Sequence, residues 1–169
     1  MDVSYLYIIE CKNGSFYTGI TNDLLQRYQE HLAGKGSKYC RAFKVRVIKA
    51  AWQFPVKKSK LIALENMIQN FTKAKKSELI NNPQTIKIPV QDLDLDFIPL
   101  IINIPDFLKN LCPCSANETC SFHGICSQCI EIHLTKLKKP PQCFQVNAKW
   151  VREVARNLKL RNLHLLAEW

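Results

Sequence analysis

The sequence predicts an α+β fold: a small ββαβαα sandwich on a short antiparallel three-stranded sheet, followed by a Cys/His unit that ends in a helix. Three observations predict it. Two apolar, aromatic runs at residues 4–11 and 15–21 flank Asn13-Gly14, a dipeptide that tolerates positive φ and so marks a hairpin. Two stretches further on, 22–33 and 59–71, carry apolar residues at helical spacing. Six of the eight cysteines fall between Cys112 and Cys143, a clustering that points to metal rather than disulfides.

The elements follow in order. After the hairpin, Asn22 can cap a helix whose apolar face is Leu24, Leu25, Tyr28 and Leu32, and Gly34 ends it. Residues 34–38 read as a basic, flexible loop. Residues 45–54 form the third strand, stopped by Pro55. Ser59 can cap a second helix that runs to about Phe71, and residues 72–79 give a short basic helix ended by Asn81-Asn82-Pro83. Residues 1–84 thus form the first domain.

Residues 85–110 read as a linker with some strand character that packs on a neighbour. Asp92, Asp94 and Asp96 alternate with Leu93, Leu95 and Phe97, the period of a solvated strand face. Residues 111–169 are the Cys-rich unit, closed by a basic amphipathic helix over 147–168 with Val151, Val154, Leu158 and Leu165 on one side.

The net charge of +10 is uneven: residues 1–84 carry 14 Lys/Arg against 6 Asp/Glu, whereas 85–108 carry 1 against 4. A basic first domain suits a polyanion, since Lys and Arg release counterions from phosphates; a merely soluble, lysine-rich surface is the plainer alternative. No apolar run approaches the roughly 18 residues of a membrane span, so no membrane partner is expected. The N-terminus lacks the basic lead of a signal peptide, and a cytoplasmic location is expected.

Three features of the first domain can carry chemistry. Tyr7 and Tyr17 lie on the hairpin, with Gly19 following; strand aromatics more often serve packing. Arg27 and His31 are four apart, neighbours on one flank of the first helix. There a cation and an imidazole can stabilise developing negative charge and assist proton transfer. Glu65 falls between Leu61 and Ile68 on the buried stripe of the second helix, with Leu64 and Phe71. A bare carboxylate there is costly, so it must be protonated, paired with a cation or bound to a metal.

These residues resemble the GIY-YIG nucleases, in particular the small single-domain subgroup, over residues 4–80. The segments are Tyr5-Leu6-Tyr7-Ile8-Ile9, Gly14-Ser15-Phe16-Tyr17-Thr18-Gly19, Asp23 to His31 with Arg27 inside it, Gly34 to Tyr39, and Glu65. The first motif departs from Gly-Ile-Tyr and the second reads Tyr-Thr-Gly, but both tyrosines and the glycine remain. The resemblance implies an endonuclease that hydrolyses phosphodiester bonds of DNA, with branched or damaged DNA as candidate substrates. Glu65 would hold a single Mg²⁺ or Mn²⁺. Tyr17 or Tyr7 would position or deprotonate the attacking water, Arg27 would neutralise charge on the phosphate, and His31 would relay a proton or fix a tyrosine hydroxyl. Lys35, Lys38 and Arg41 would contact the nucleic-acid backbone.

In the Cys-rich unit the candidate ligands are Cys112, Cys114, Cys120, His123, Cys126, Cys129, His133 and Cys143. Cys126-x2-Cys129 has the spacing of a zinc ligand pair. One or two Zn²⁺ ions fit thiolates and imidazoles; an iron–sulfur cluster and redox-active thiols are the alternatives. The run resembles small Cys-rich proteins of unknown function, which adds no activity; its expected task is stability, or a contact with nucleic acid or with a protein partner. A second reading of the whole chain is an inactive nucleic-acid adaptor whose zinc unit makes protein contacts.

Overall fold

The computed structural model describes residues 2–86, 100–104, 126–137 and 141–157, with single positions at 164 and 167, and without the side chains of 126–128, 135 and 142–147. Strand β1 (Ser4–Cys11) and strand β2 (Phe16–Thr21) form the expected hairpin. Gly14 sits at φ +76°, and its N–H donates to the Cys11 carbonyl while the Cys11 N–H donates to that of Ser15. This is a three-residue loop with its glycine in the left-handed region, rather than a two-residue turn.

Helix α1 (Leu24–Leu32) is capped by Asp23, not Asn22: the Asp23 carboxylate accepts from the Gln26 N–H at 2.9 Å. Asn22 instead ties the strand end, donating to the Val3 carbonyl and the Ser4 hydroxyl. From the last residue of the basic loop a short helix follows, α2 (Lys38–Phe43), which Ser37 caps by accepting from the Cys40 N–H. Strand β3 (Val45–Phe54) then pairs antiparallel with β1.

Ser59 does not cap the next helix. A 3₁₀ turn at Lys58–Leu61 carries Leu61 into the core, and helix α3 follows at Ile62–Gln69. Thr72 caps helix α4 (Lys73–Asn81) through the Lys75 N–H. The sheet gains a fourth strand from the stretch read as a linker: β4 (Leu100–Ile101) pairs antiparallel with Trp52 and Gln53. Two residues bounded by prolines give no period to read. The alternating aspartates lie outside the described residues. Helix α5 (Cys126–Ile132) runs into a π-helical turn (His133–Leu137), and helix α6 spans Gln142–Asn157, beginning before residue 147.

The strand order is β2-β1-β3-β4, which makes β2 an edge. Both sheet faces are covered, so β1 is apolar in both registers. Tyr7 and Ile9 face one core with Leu24, Tyr28 and Leu32 of α1, Cys40 of α2, Ile130, and Val151, Val154 and Ala155 of α6. Leu6 and Ile8 face the other with Trp52, Phe54, Leu61, Leu64, Ile68 and Leu79. The C-terminal helices therefore share a core with the sheet. Glu153 pairs with Lys35 at 2.8 Å, and the Asn157 amide donates to the Leu32 carbonyl at 2.8 Å, satisfying the end of α1. Among the described residues no helix is long and apolar enough to cross a membrane.

Candidate active site

The edge strand β2 is where the two faces meet, and the candidate residues gather around it. Tyr7, on the neighbouring strand β1, lies opposite Gly19 in the register. Its ring crosses directly over that glycine: a Cβ added at Gly19 would stand 2.5 Å from the Tyr7 hydroxyl oxygen. The missing side chain opens the path by which a phenol from the second strand reaches the edge.

The Tyr7 hydroxyl lies 2.8 Å from His31 Nε2. Burial, with Arg27 adding to it, depresses His31 to about 4, so the imidazole is neutral at neutral pH. Burial drives Tyr7 well above the usual phenol range, so it keeps its proton. Gly36 closes over the far side of the imidazole, where any Cβ would collide with Nδ1. That nitrogen is buried without a hydrogen-bond partner. Bare nitrogen is tolerated there better than an orphaned N–H, which assigns the proton to Nε2. His31 then donates to Tyr7, and the Tyr7 hydroxyl keeps its own proton for a further acceptor.

Tyr17 completes an aromatic cluster, with ring centroids 6.3 Å from Tyr7 and 5.3 Å from His31. Burial raises its phenol too, while Arg27 opposes that rise in both tyrosines. Beyond Tyr17 the Tyr39 ring stacks at 6.1 Å and Phe43 follows at 4.7 Å, both partly exposed on α2. Arg27 is half-exposed and paired with Glu30 at 2.8 Å.

Glu65 approaches from the opposite face. It stands at the rim of the α3 stripe, half-buried, rather than inside it. Burial raises its carboxyl, opposed by hydrogen bonds from the Gln69 side chain and the Ile20 backbone and by the charge of Lys58. Its charge in turn raises Tyr7 and Tyr17. The structure therefore brings Tyr7, Tyr17, Arg27, His31 and Glu65 into one electrostatic neighbourhood across the β2 edge. A cleft of about 360 Å³ opens there, lined by Phe16, Tyr17, Thr18, Tyr39, Gln69 and Lys76.

The family model for the GIY-YIG catalytic domain matches residues 3–78. A UPF0213 protein of Fusobacterium nucleatum is 40% identical over 81 residues, 48% of this chain and 80% of that one.

The chain belongs to the GIY-YIG nuclease family.

Two further relatives of this GIY-YIG chain carry the same UPF0213 designation. One from Halalkalibacterium halodurans is 39% identical over 77 residues, 46% of this chain and 81% of the relative. One from Haloquadratum walsbyi is 35% identical over 88 residues, 52% and 98% of the two chains. The solution NMR structure of the UPF0213 protein BH0048 from Bacillus halodurans shares 37% identity, covering 51% of this chain and 96% of that one at a TM-score of 0.31.

Other candidate positions in this GIY-YIG chain fall differently. Lys38 and Arg41 are exposed on α2 beside Tyr39, whereas Lys35 is engaged with Glu153. Cys129 is buried on α5 and His133 is half-buried beyond it. Cys112, Cys114, Cys120 and His123 lie outside the described residues, as do the side chains of Cys126 and Cys143. Among the described residues no three His, Cys, Asp or Glu converge on a metal-sized site.

Sequence reasoning passed over two features. Cys11 and Cys40, outside the cysteine cluster, hydrogen-bond to each other, which lowers the first thiol and raises the second. Lys76, on the short basic helix, is only 8% exposed.

Proposed function

We propose that the protein is a metal-dependent endonuclease that hydrolyses phosphodiester bonds of DNA. The observation that carries this reading is the Tyr7–His31 hydrogen bond, held beside Tyr17, Arg27 and Glu65 at the open edge of β2.

Each residue has work that its environment suits. Tyr7, neutral and fixed by His31, keeps an O–H beside Tyr17 with which it can orient a water or a phosphate oxygen. Tyr17 lines the cleft and flanks the same position. Arg27 places a guanidinium whose charge is felt by both tyrosines and His31, where it meets negative charge growing on the phosphate. Lys38 and Arg41, on the same short helix as the Tyr39–Phe43 pair, offer phosphate contacts and a face on which a base can stack.

Glu65 is a hard oxygen donor at a half-buried rim, with hydroxyl groups nearby and no second carboxylate among the described partners that shift it. That set fits Mg²⁺ or Mn²⁺, which keep several waters around one carboxylate. Such an ion, when bound, supplies positive charge to the phosphate and cancels the upward push of Glu65 on the two phenols.

The Cys/His run of residues 112–143 is proposed to hold Zn²⁺, supported by ligand type and spacing.

A nicking assay tests the enzyme reading, with duplex, branched and single-stranded DNA and RNA, each with Mg²⁺, with Mn²⁺ and with chelator. Metal-dependent cleavage of a DNA substrate that Glu65→Gln abolishes supports it. Binding without cleavage of any substrate replaces it with the adaptor reading.

A further inference from the structure

Lys76 is a buried ammonium with no counter-ion among the described residues. It sits on α4 at 8% exposure, and its Nζ donates to the Gln69 carbonyl at 2.9 Å. Among the described residues it forms no ion pair, so at most one of its three donor hydrogens is matched by that bond. Burial lowers its pKa, with no carboxylate among the described residues to offset the shift. Taking an ammonium out of water at such a site is costly unless something anionic meets it.

The surroundings show where that anion would come from. Lys76 lines the same cleft as Tyr17, on the side of the β2 edge opposite Arg27. Beside it in the cleft wall is Thr18, whose Oγ1 is buried and has no hydrogen-bond partner. Gln69 ties the two halves of the site together: its backbone carbonyl holds Lys76 while its side chain holds Glu65. Lys73, over the Phe16 ring at 6.0 Å, adds a further cation at the rim.

We infer that Lys76 and Thr18 form a phosphate subsite, which binds a phosphodiester group of the nucleic-acid chain in the cleft between β2 and α4. The ammonium supplies charge and the hydroxyl supplies a hydrogen bond to a non-bridging oxygen. The strand would then be gripped from both sides of β2, by Arg27 and by Lys76. The inference rests on the nuclease reading for its ligand, and it names which residues grip the backbone.

A purely structural role is the competitor. Gln69 is the last residue of α3, and a lysine at a helix C-terminus satisfies its carbonyl and its dipole. The two roles differ in what salt does. The test is the affinity of the full chain, in chelator, for a short fluorescein-labelled DNA oligonucleotide across a salt series, for wild type, Lys76→Met and Lys76→Arg. The subsite predicts a loss of about tenfold for Lys76→Met, a salt slope smaller by about one phosphate contact, and substantial recovery in Lys76→Arg. A folded Lys76→Met that binds within twofold of wild type at unchanged slope overturns the subsite, whatever its melting temperature. A wild-type chain that binds no oligonucleotide overturns the subsite, while the nuclease reading is decided separately by the cleavage assay with metal. Should Lys76→Met fail to fold, NMR of the ¹³C-methylated lysines of the wild-type chain decides: the Lys76 signal must move on adding the oligonucleotide, and a stationary signal overturns the subsite.

Discussion

Gly19 lies under the ring of Tyr7, and the absent side chain is what lets a phenol from β1 reach the imidazole of His31 at the sheet edge. The hairpin register sets this crossing, because Tyr7 and Gly19 are direct partners across the two strands.

Gly19→Ala therefore acts on Tyr7. The new methyl meets the hydroxyl oxygen and the ring carbon that bears it, so the ring must shift. A stability cost of about 1–3 kcal/mol is expected for such overpacking, with cleavage reduced more than tenfold as the hydroxyl leaves its position. Thermal melts and cleavage rates on the same preparation check both effects.

Tyr7→Phe removes the hydroxyl and keeps the ring. The His31 N–H loses its partner, a loss of about 1–2 kcal/mol. Cleavage should fall by about a hundredfold or more, the range of a lost proton-handling group, while oligonucleotide affinity changes little.

His31 gives stability a pH dependence. Its folded pKa of about 4 lies below the unfolded value of 6.5, so the unfolded chain takes up a proton first as pH falls. This contribution is complete above about pH 6.5, declines as pH falls from there to about 4, and is flat below. The drop is on the order of 3 kcal/mol. Denaturant titrations over that window check it, and His31→Phe should flatten this part of the curve.

Much of this was legible because it is local. The hairpin, α1 and β3 follow from short-range patterning, and the pair Arg27 and His31 from a four-residue spacing. Other features depend on distant chain segments. His31 reads as a flank residue beside Arg27; Gly36 folding back over it completes its burial. Asp23 rather than Asn22 caps α1 because Asn22 is drawn to Val3 and Ser4. The six-residue α2 is too short for a periodic pattern. Cys11 and Cys40 meet only once the sheet has formed, and Lys76 looks like its neighbours Lys73 and Lys75 until α4 docks.

Asn157 links the C-terminal helix to the site. It donates to the Leu32 carbonyl at the end of α1 and accepts from Lys44. Asn157→Ala should lower stability by about 1 kcal/mol, and activity by a smaller factor than Tyr7→Phe, since α1 carries Arg27 and His31. Parallel melting and rate measurements check the order of the two variants.

The central claim is that groups from opposite sheet faces act as one centre, and a double-mutant cycle on cleavage rate tests it most directly. With Tyr7→Phe, Glu65→Gln and the double variant, the account predicts a double variant hardly slower than the worse single one, because either loss disables the shared site. Rate losses that multiply independently, or a Glu65→Gln chain as fast as wild type, would contradict it.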